Sequence, residues 1–210
     1  PTQTMTTIDG VVASPPPPRT LDAPADAFAL LRDALVAAKF DEPTVSARLG
    51  VASLYDVKRL ADGRTTLASP PEDANAVLVR LFIDSEMLPT ALVERLLGSD
   101  VLAALHALGL VAPAAGMDAS LSATAMLYPT QGLWLASDRQ PMRAAEMELL
   151  PQDYVFSALS SLTQQYLAVL PDAPGGRVLE LCAGTGVAAV RAARRGAAEA
   201  WATDIAPRCV

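Results

Sequence analysis

The chain has 210 residues, of which 51% are hydrophobic and 19% are charged, so it can fill a core and is not a disordered polyelectrolyte. Acidic residues outnumber basic residues by 23 to 16, which gives a net charge of −7. Proteins that coat nucleic acid or anionic membranes carry a surplus of cations, so both partners are disfavoured. Two cysteines are too few for a disulfide-stapled secreted domain, and we find no signal peptide or membrane span. We expect a cytoplasmic protein.

The sequence pattern divides the chain into four segments. Residues 1–20 contain a run of prolines and predict a disordered leader, whose first four residues precede Met5 and look like a cloning remnant. Residues 21–140 have mainly helical periodicity. Residues 141–176 predict connecting helices that close over a cofactor, and residues 177–210 begin an α/β domain.

Apolar residues at helical spacing predict successive helices in the second segment. Their predicted core positions are Phe28, Leu31, Leu35 and Ala38; Val45 and Leu49; Val77, Leu78, Leu81 and Phe82; Leu92, Leu96 and Leu97; and Val101, Leu102, Leu105 and Leu108. Gly50 is predicted to end the second of these helices and Ser99 to cap the last. A short helix is also predicted over residues 53–60.

After Gly109 the apolar residues alternate, which predicts a two-stranded ribbon. Its strands are predicted over residues 121–126 and 133–136, with the turn at residues 129–132. Two helices followed by a ribbon are the order of a winged helix. Carboxylates nevertheless outnumber the two arginines, Arg80 and Arg95, between residues 73 and 138, so DNA would be repelled and a packing or dimerisation module is favoured.

The connecting segment contains two stretches of helical composition. The first covers residues 141–150 and ends before Pro151. The second is predicted over residues 157–170, with one side facing the core; that side carries Leu159, Leu162, Tyr166 and Val169.

Residues 177–204 carry the strongest chemical signal. An apolar run at 178–181 predicts a buried parallel strand, and a glycine turn at 183–186 leads into a helix over 187–195. A second strand over residues 199–203 ends at Asp204. Strand, glycine turn, helix, strand and acid form the first unit of a nucleotide-binding α/β fold.

The glycine turn and the acid predict a ligand that contains a ribose. Gly184 and Gly186 lack a Cβ, so a ligand can lie against bare backbone near the free N–H groups of the helix. Asp204 can accept hydrogen bonds from both ribose hydroxyls. The spacing of Gly184, Gly186 and Ala189 also fits a dinucleotide site, so NAD is an alternative ligand.

Glu180 favours a different ligand. A carboxylate at the end of a buried strand is costly unless another group pairs with it. The ammonium group of S-adenosyl-L-methionine would supply that partner, and this molecule has a ribose and no phosphate. We therefore favour S-adenosyl-L-methionine over NAD.

Residues 178–186 resemble motif I of the class I S-adenosylmethionine-dependent methyltransferases, and Asp204 resembles their second-strand ribose ligand. That family usually has a glycine where this chain has Cys182. Residues 81–84, 133–139, 153–156 and 161–163 extend the likeness to bacterial small-domain methyltransferases, similar to the glutamine-N5 and guanine-N2 enzymes.

The resemblance implies a Rossmann-like methyltransferase unit behind a mainly helical, winged-helix-like domain, with S-adenosyl-L-methionine as the cofactor. It indicates no metal and no catalytic base. The cofactor contacts that it implies are Glu180, Cys182, Ala183, Gly184, Thr185, Gly186, Asp204, Ile205, Tyr154 and Thr163.

The family's nitrogen-gripping tetrapeptide of the Asn-Pro-Pro-Tyr type does not occur in these residues. We therefore expect the chain to be the front part of an enzyme, unable to transfer methyl groups alone. The favoured acceptor is a small molecule or peptide, for example in secondary metabolism. An rRNA or protein-glutamine methyltransferase and a non-catalytic dimerisation module are the alternatives, and a homodimer would form through the N-terminal domain.

Overall fold

The computed structural model describes residues 23–55, 70–117, 119–139 and 153–209, which form a mixed α/β structure. The predicted leader and the helical stretch at 141–150 lie outside these residues, as does most of the helix predicted over 53–60. No helix within the described ranges is long and apolar enough to cross a membrane.

The described elements alternate between helices and short strands. In chain order they are α1 Ala25–Ala37, α2 Glu42–Leu49, α3 Ala74–Leu78, a π-helical turn Val79–Ile83, β1 Leu88–Pro89, α4 Thr90–Leu97, α5 Ser99–Ala107, β2 Val111–Pro113, β3 Ser120–Ala123, β4 Met126–Thr130, β5 Leu133–Ser137, α6 Ser161–Val169, β6 Arg177–Leu181, α7 Val187–Arg194, β7 Glu199–Thr203 and a 3-10 turn Pro207–Cys209.

Helices α1 and α2 form where the sequence predicts them. Helix α1 buries Leu31 and Leu35 together with Ala27, whereas Phe28 is 47% exposed, so its prediction as a core residue is wrong. The side chain of Asp41 accepts a hydrogen bond from the backbone N–H of Thr44 and begins α2. Gly50 ends this helix with a left-handed φ of 64°, as predicted.

Helix α3 and the turn after it carry four of the predicted core residues of the N-terminal fold, by which we mean the elements from α1 to β5. Asp73 caps its first turn by accepting a hydrogen bond from the N–H of Ala76. The helix continues into a π-helical turn, and together they bury Val77, Leu78, Leu81 and Phe82 completely. The π turn ends at Asp84, whose carboxyl group is largely buried; burial and the nearby Glu86 raise its pKa to about 6.

Helix α5 begins differently from the prediction. Gly98 occupies the capping position with a φ of 93°, and Ser99 is already the first helical residue. The hydroxyl of Ser99 bonds the Asp100 carboxylate instead of a backbone N–H of the first turn. A glycine without a Cβ adopts this backbone at no steric cost, so the break between α4 and α5 does not need a side-chain cap.

The predicted ribbon is wrong in its pairing. Strand β3 pairs antiparallel with both β1 and β2, in the order β1-β3-β2. The strand after it, β4, pairs with β5 as a separate antiparallel hairpin. Residues 124–125 separate β3 from β4, so the single strand predicted over residues 121–126 is two strands in two sheets. Strands β1 and β2 were not predicted because they are only two and three residues long.

The β4–β5 hairpin closes tightly at Gln131 and Gly132. Both have a positive φ, 52° and 70°, which is the conformation of a two-residue hairpin turn. Pro129 and Thr130, predicted as turn residues, belong to β4. The indole N–H of Trp134 donates to the carbonyl of Phe40 at 2.6 Å, and this bond holds the hairpin against the helices.

Helix α6 faces the other way from the prediction. It begins at Ser161, after the Ser160 hydroxyl accepts a hydrogen bond from the N–H of Thr163. Leu162, Tyr166 and Val169, predicted to face the core, are exposed. Leu167 is the buried residue of this helix, and Leu159 is buried in the turn before it. The side of α6 that is buried is therefore set by its contacts with the rest of the chain and not by the spacing of its apolar residues alone.

The last unit is a parallel strand pair joined by α7. Strands β6 and β7 pair with Leu179 opposite Trp201 and Leu181 opposite Thr203; β7 has the predicted bounds, and β6 begins at Arg177, one residue before the predicted strand. Helix α7 packs on one face of the pair. Leu179, Leu181 and Trp201 are exposed on the other face, so the prediction of a strand buried on both faces is wrong for the described residues.

Candidate functional site

The glycine turn after β6 and the acid after β7 lie against each other. The backbone N–H of Gly184 donates to Asp204 Oδ2 at 2.8 Å, and the N–H of Ala206 donates to Asp204 Oδ1 at 2.9 Å. Both bonds lower the pKa of Asp204, and the bond from Ala206 has the larger effect. Asp204 is therefore an ionised acceptor held at the carboxyl end of the strand pair, where α/β sheets bind ligands.

Cys182 has a left-handed backbone conformation, with a φ of 54°. Side chains other than glycine rarely adopt it, because the Cβ approaches the following carbonyl oxygen. The methyltransferase family that residues 178–186 resemble usually has a glycine at this position. The backbone therefore has the shape expected of that glycine, and Cys182 adopts it with its side chain exposed.

The turn itself leaves room for a ligand. Gly184 has a φ of 54°, and a Cβ placed there would meet no atom within 4 Å. Gly186 has a φ of 67°, and a Cβ on it would meet the Ala202 side chain at 3.7 Å. Ala183 is buried and continues the sheet by donating its N–H to the carbonyl of Thr203 at 3.1 Å. Open backbone at Gly184 beside a carboxylate is an arrangement that suits a polar ligand with hydroxyl groups.

Glu180 has its partners inside the chain. Its side chain is buried and points at the start of α7, where Oε2 accepts the N–H of Ala189 at 2.8 Å and Oε1 accepts the N–H of Ala188 at 3.3 Å. The first N–H groups of a helix have no partner within the helix, so this carboxylate satisfies two of them. The structure thus corrects the expectation that burial of Glu180 requires a cationic ligand.

Tyr128 of β4 lies near Thr185 of the glycine turn. The hydroxyl of Tyr128, in β4, accepts the N–H of Ala158 at 2.8 Å and lies close to the side chains of Thr185 and Ser157. Burial raises the pKa of Tyr128, and these hydrogen bonds oppose the rise. A second bridge runs from the Arg194 guanidinium of α7 to the carbonyl of Gly132 in the hairpin turn. The hairpin therefore approaches the last α/β unit at Tyr128 and at Gly132.

Tyr154 and Ile205 occupy different surroundings. Tyr154 is buried, its hydroxyl donates to the carbonyl of Arg139 at 2.7 Å, and its ring meets Phe156 edge-on at 4.7 Å. Burial and the charge of Asp138 raise the pKa of Tyr154 to about 12. Ile205 is 98% exposed directly after Asp204. The role of Ile205 as a cofactor contact stays a prediction.

Thr163 stands apart from the other predicted contacts. Its hydroxyl and its backbone N–H both bond the hydroxyl of Ser160, at 2.8 and 3.0 Å, within the first turn of α6. The described bonds of Thr163 thus serve the start of a helix, and its role as a cofactor contact stays a prediction.

Two residues that the sequence reasoning did not select, Asp138 and Arg208, join the parts of this site. Arg208 forms two bonds to the carboxylate of Asp138, across 70 positions of sequence. Asp138 falls in one of the stretches that carried the family resemblance, which was the only sequence signal for it. Arg208 follows Pro207 in a short turn and carries no pattern of its own.

The described residues contain a groove elsewhere, in the N-terminal fold. It has a volume of about 470 Å³ and lies between α1, the end of α5 and the β4–β5 hairpin. Leu31, Leu108 and Trp134 are among its mostly apolar lining residues. Within the described ranges there is no cluster of three or more His, Cys, Asp or Glu side chains that could hold a metal ion.

No protein-family model matches this sequence, and no curated protein matches it at a significant level.

Proposed function

We propose that this chain carries the cofactor-binding unit of a class I S-adenosylmethionine-dependent methyltransferase. The support comes from a parallel β6–α7–β7 unit with a glycine turn after the first strand and an acid after the second. In the N-terminal fold, helices α4 and α5 follow β1 in the chain and precede the antiparallel pair β2–β3. That order supports a winged-helix-like domain ahead of a Rossmann-like unit.

The observation that carries the proposal is the pair of acids at the glycine turn. Pyrophosphate-binding sites use the free N–H groups at the start of the helix. Here Glu180 already accepts the N–H groups of Ala188 and Ala189, so two of the donors that a pyrophosphate would use are occupied by a carboxylate. A ligand without phosphate suits this turn, which favours S-adenosyl-L-methionine over NAD.

The residues fit the cofactor on two further counts. Each carboxylate oxygen of Asp204 accepts one backbone N–H and keeps another lone pair, which the ribose hydroxyls can use. The open space beside Gly184 leaves the backbone accessible to the amino-acid part of the ligand. When bound, the cofactor supplies an electrophilic sulfonium methyl group. The chain's own residues bind it, orient it and exclude water from it.

The acceptor that we propose is a small molecule or a peptide. The net charge of −7 opposes association with a polyanion, which makes an rRNA acceptor less favoured on this surface. A protein-glutamine acceptor stays an alternative.

Calorimetry with S-adenosylhomocysteine tests the proposal on the full-length protein. We expect binding, and we expect Asp204→Asn to weaken it by about ten- to a hundredfold, because a charged acceptor for the ribose hydroxyls is lost. Asp172→Asn is the matched control, since Asp172 lies just before β6 and pairs with Arg195 away from the glycine turn. Heat of binding with NAD and none with S-adenosylhomocysteine would overturn the proposal.

A further inference from the structure

Arg208 and Asp138 form a paired contact between the end of the hairpin and the turn that follows Asp204. Arg208 Nη1 lies 2.9 Å from Asp138 Oδ2, and Nη2 lies 2.5 Å from Oδ1. Each side chain is 16% exposed. Two parallel bonds between a guanidinium and a carboxylate fix distance and orientation together, and partial burial limits screening by solvent.

Asp138 also holds the segment that carries Tyr154. Its Oδ2 accepts the N–H of Val155 at 2.9 Å, and its backbone N–H donates to the carbonyl of Val155 at 3.0 Å. Asp153 Oδ1 lies 3.8 Å from Arg208 Nη1 and adds a second negative charge beside the guanidinium. One carboxylate therefore ties residues 153–155 to the turn at residues 207–209.

Residues 204–206 are held by three hydrogen bonds and by the burial of Ala206. Asp204 is bonded by two backbone N–H groups, and the N–H of Cys209 closes the turn on the carbonyl of Ala206 at 3.0 Å. Ile205 is almost fully exposed and gains nothing from packing. Binding groups lose much of their effect when they are displaced by about 1 Å, so an anchor outside the turn matters for affinity.

We infer that Arg208 and Asp138 are positioning residues for the cofactor site, which fix the turn that follows Asp204 and Ile205 relative to the segment that carries Tyr154. The inference rests on the proposed function. It makes cofactor affinity depend on the N-terminal fold, because Asp138 directly follows β5 of the hairpin.

The same pair contributes little to folding. Arg208 Nε is buried and has no hydrogen-bond partner among the described residues, so the guanidinium is only partly compensated. Replacing both partners of such a pair by uncharged groups is often neutral or stabilising, whereas removing one leaves the other uncompensated. The double variant Asp138→Asn with Arg208→Met should therefore remain folded while it loses the positioning contact.

The test compares dissociation constants for S-adenosylhomocysteine by calorimetry. We expect the double variant and Arg208→Met to bind about tenfold more weakly, which is about 1.4 kcal/mol. Arg208→Lys restores the charge but not the paired bonds, so its affinity should fall between those of the wild type and Arg208→Met. Arg177→Met is the control, because it removes the exposed 2.7 Å pair with Glu199 across the start of the same strand pair; it should change affinity less than twofold.

Hydrogen exchange without ligand gives an independent readout. The amides of Ala206 and Cys209 should exchange about tenfold faster in the double variant, at an unchanged melting temperature. If the wild type binds no S-adenosylhomocysteine, the proposed function fails. If the wild type binds it and the double variant binds with the same affinity and shows the same exchange, the proposed function stands and the positioning role of Arg208 and Asp138 is refuted.

Discussion

Replacing Cys182 by glycine should stabilise the protein. With its φ of 54°, Cys182 keeps a Cβ in a left-handed conformation that costs roughly 1–2 kcal/mol in residues other than glycine. Glycine removes this cost but gives the unfolded chain about 0.5–1 kcal/mol more conformational entropy. The side chain is exposed, so little burial is lost. The difference is a gain of about 0.5–1 kcal/mol in the free energy of unfolding, or a melting temperature about 1–4 °C higher.

Urea unfolding followed by circular dichroism measures this free energy directly. Cys182→Ala is the matched control, because it removes the sulfur and keeps the Cβ in the same strained backbone. Its stability should lie within about 0.5 kcal/mol of the wild type. The reasoning is refuted if the glycine variant is less stable than the wild type, or if the alanine variant gains as much as the glycine variant.

Two further predictions concern buried carboxylates. Glu180→Gln should destabilise the chain by about 1–3 kcal/mol in urea unfolding, because an amide cannot accept both N–H groups at the start of α7. The exposed Glu199→Gln should change stability by less than about 0.5 kcal/mol, and equal losses would contradict this role of Glu180. Burial and Glu86 raise the pKa of Asp84 to about 6, and Arg80 and Arg139 oppose the rise. The protonated side chain therefore contributes to the free energy of unfolding below pH 4, and this contribution is lost as the pH rises through 6. The free energy of unfolding of Asp84→Asn should therefore rise by about 1–2 kcal/mol relative to that of the wild type between pH 4 and pH 7, after allowance for solvent screening. Parallel profiles of unfolding free energy against pH for the two proteins would contradict this.

Local signals in the sequence were enough for elements that depend on their own residues. Gly50 ends α2 as predicted, and β7 has the predicted bounds with Asp204 directly after it. The glycine turn also lies beside Asp204, because the carboxyl ends of neighbouring parallel strands meet at one edge of a sheet. These features follow from backbone chemistry that acts over a few residues.

The failures come from contacts between distant residues. Strand β3 pairs with Leu88 and Pro89 as well as with β2, and its own alternation does not name those partners. Leu162 and Val169 have helical spacing, yet the side of α6 that packs on the chain is the one with Leu167. A hydrophobic pattern shows that a helix has an apolar side but not which neighbour will cover it.

The sequence predicted that the glycine turn and Asp204 lie together, but not the contacts that support them. Gly184 and Asp204 belong to a known spacing, whereas Arg208 and Asp138 meet only after folding. Glu180 shows the same limit, because the sequence indicated a buried acid at a strand end but not that α7 would supply its hydrogen-bond donors.

A crystal structure of the full-length protein with S-adenosylhomocysteine tests the central claim most directly. We expect both ribose hydroxyls within hydrogen-bond distance of the Asp204 carboxylate, with the amino-acid part of the ligand against the backbone at Gly184. Density for the ligand at another place, or a turn that admits only a nucleotide pyrophosphate at the start of α7, would contradict the account.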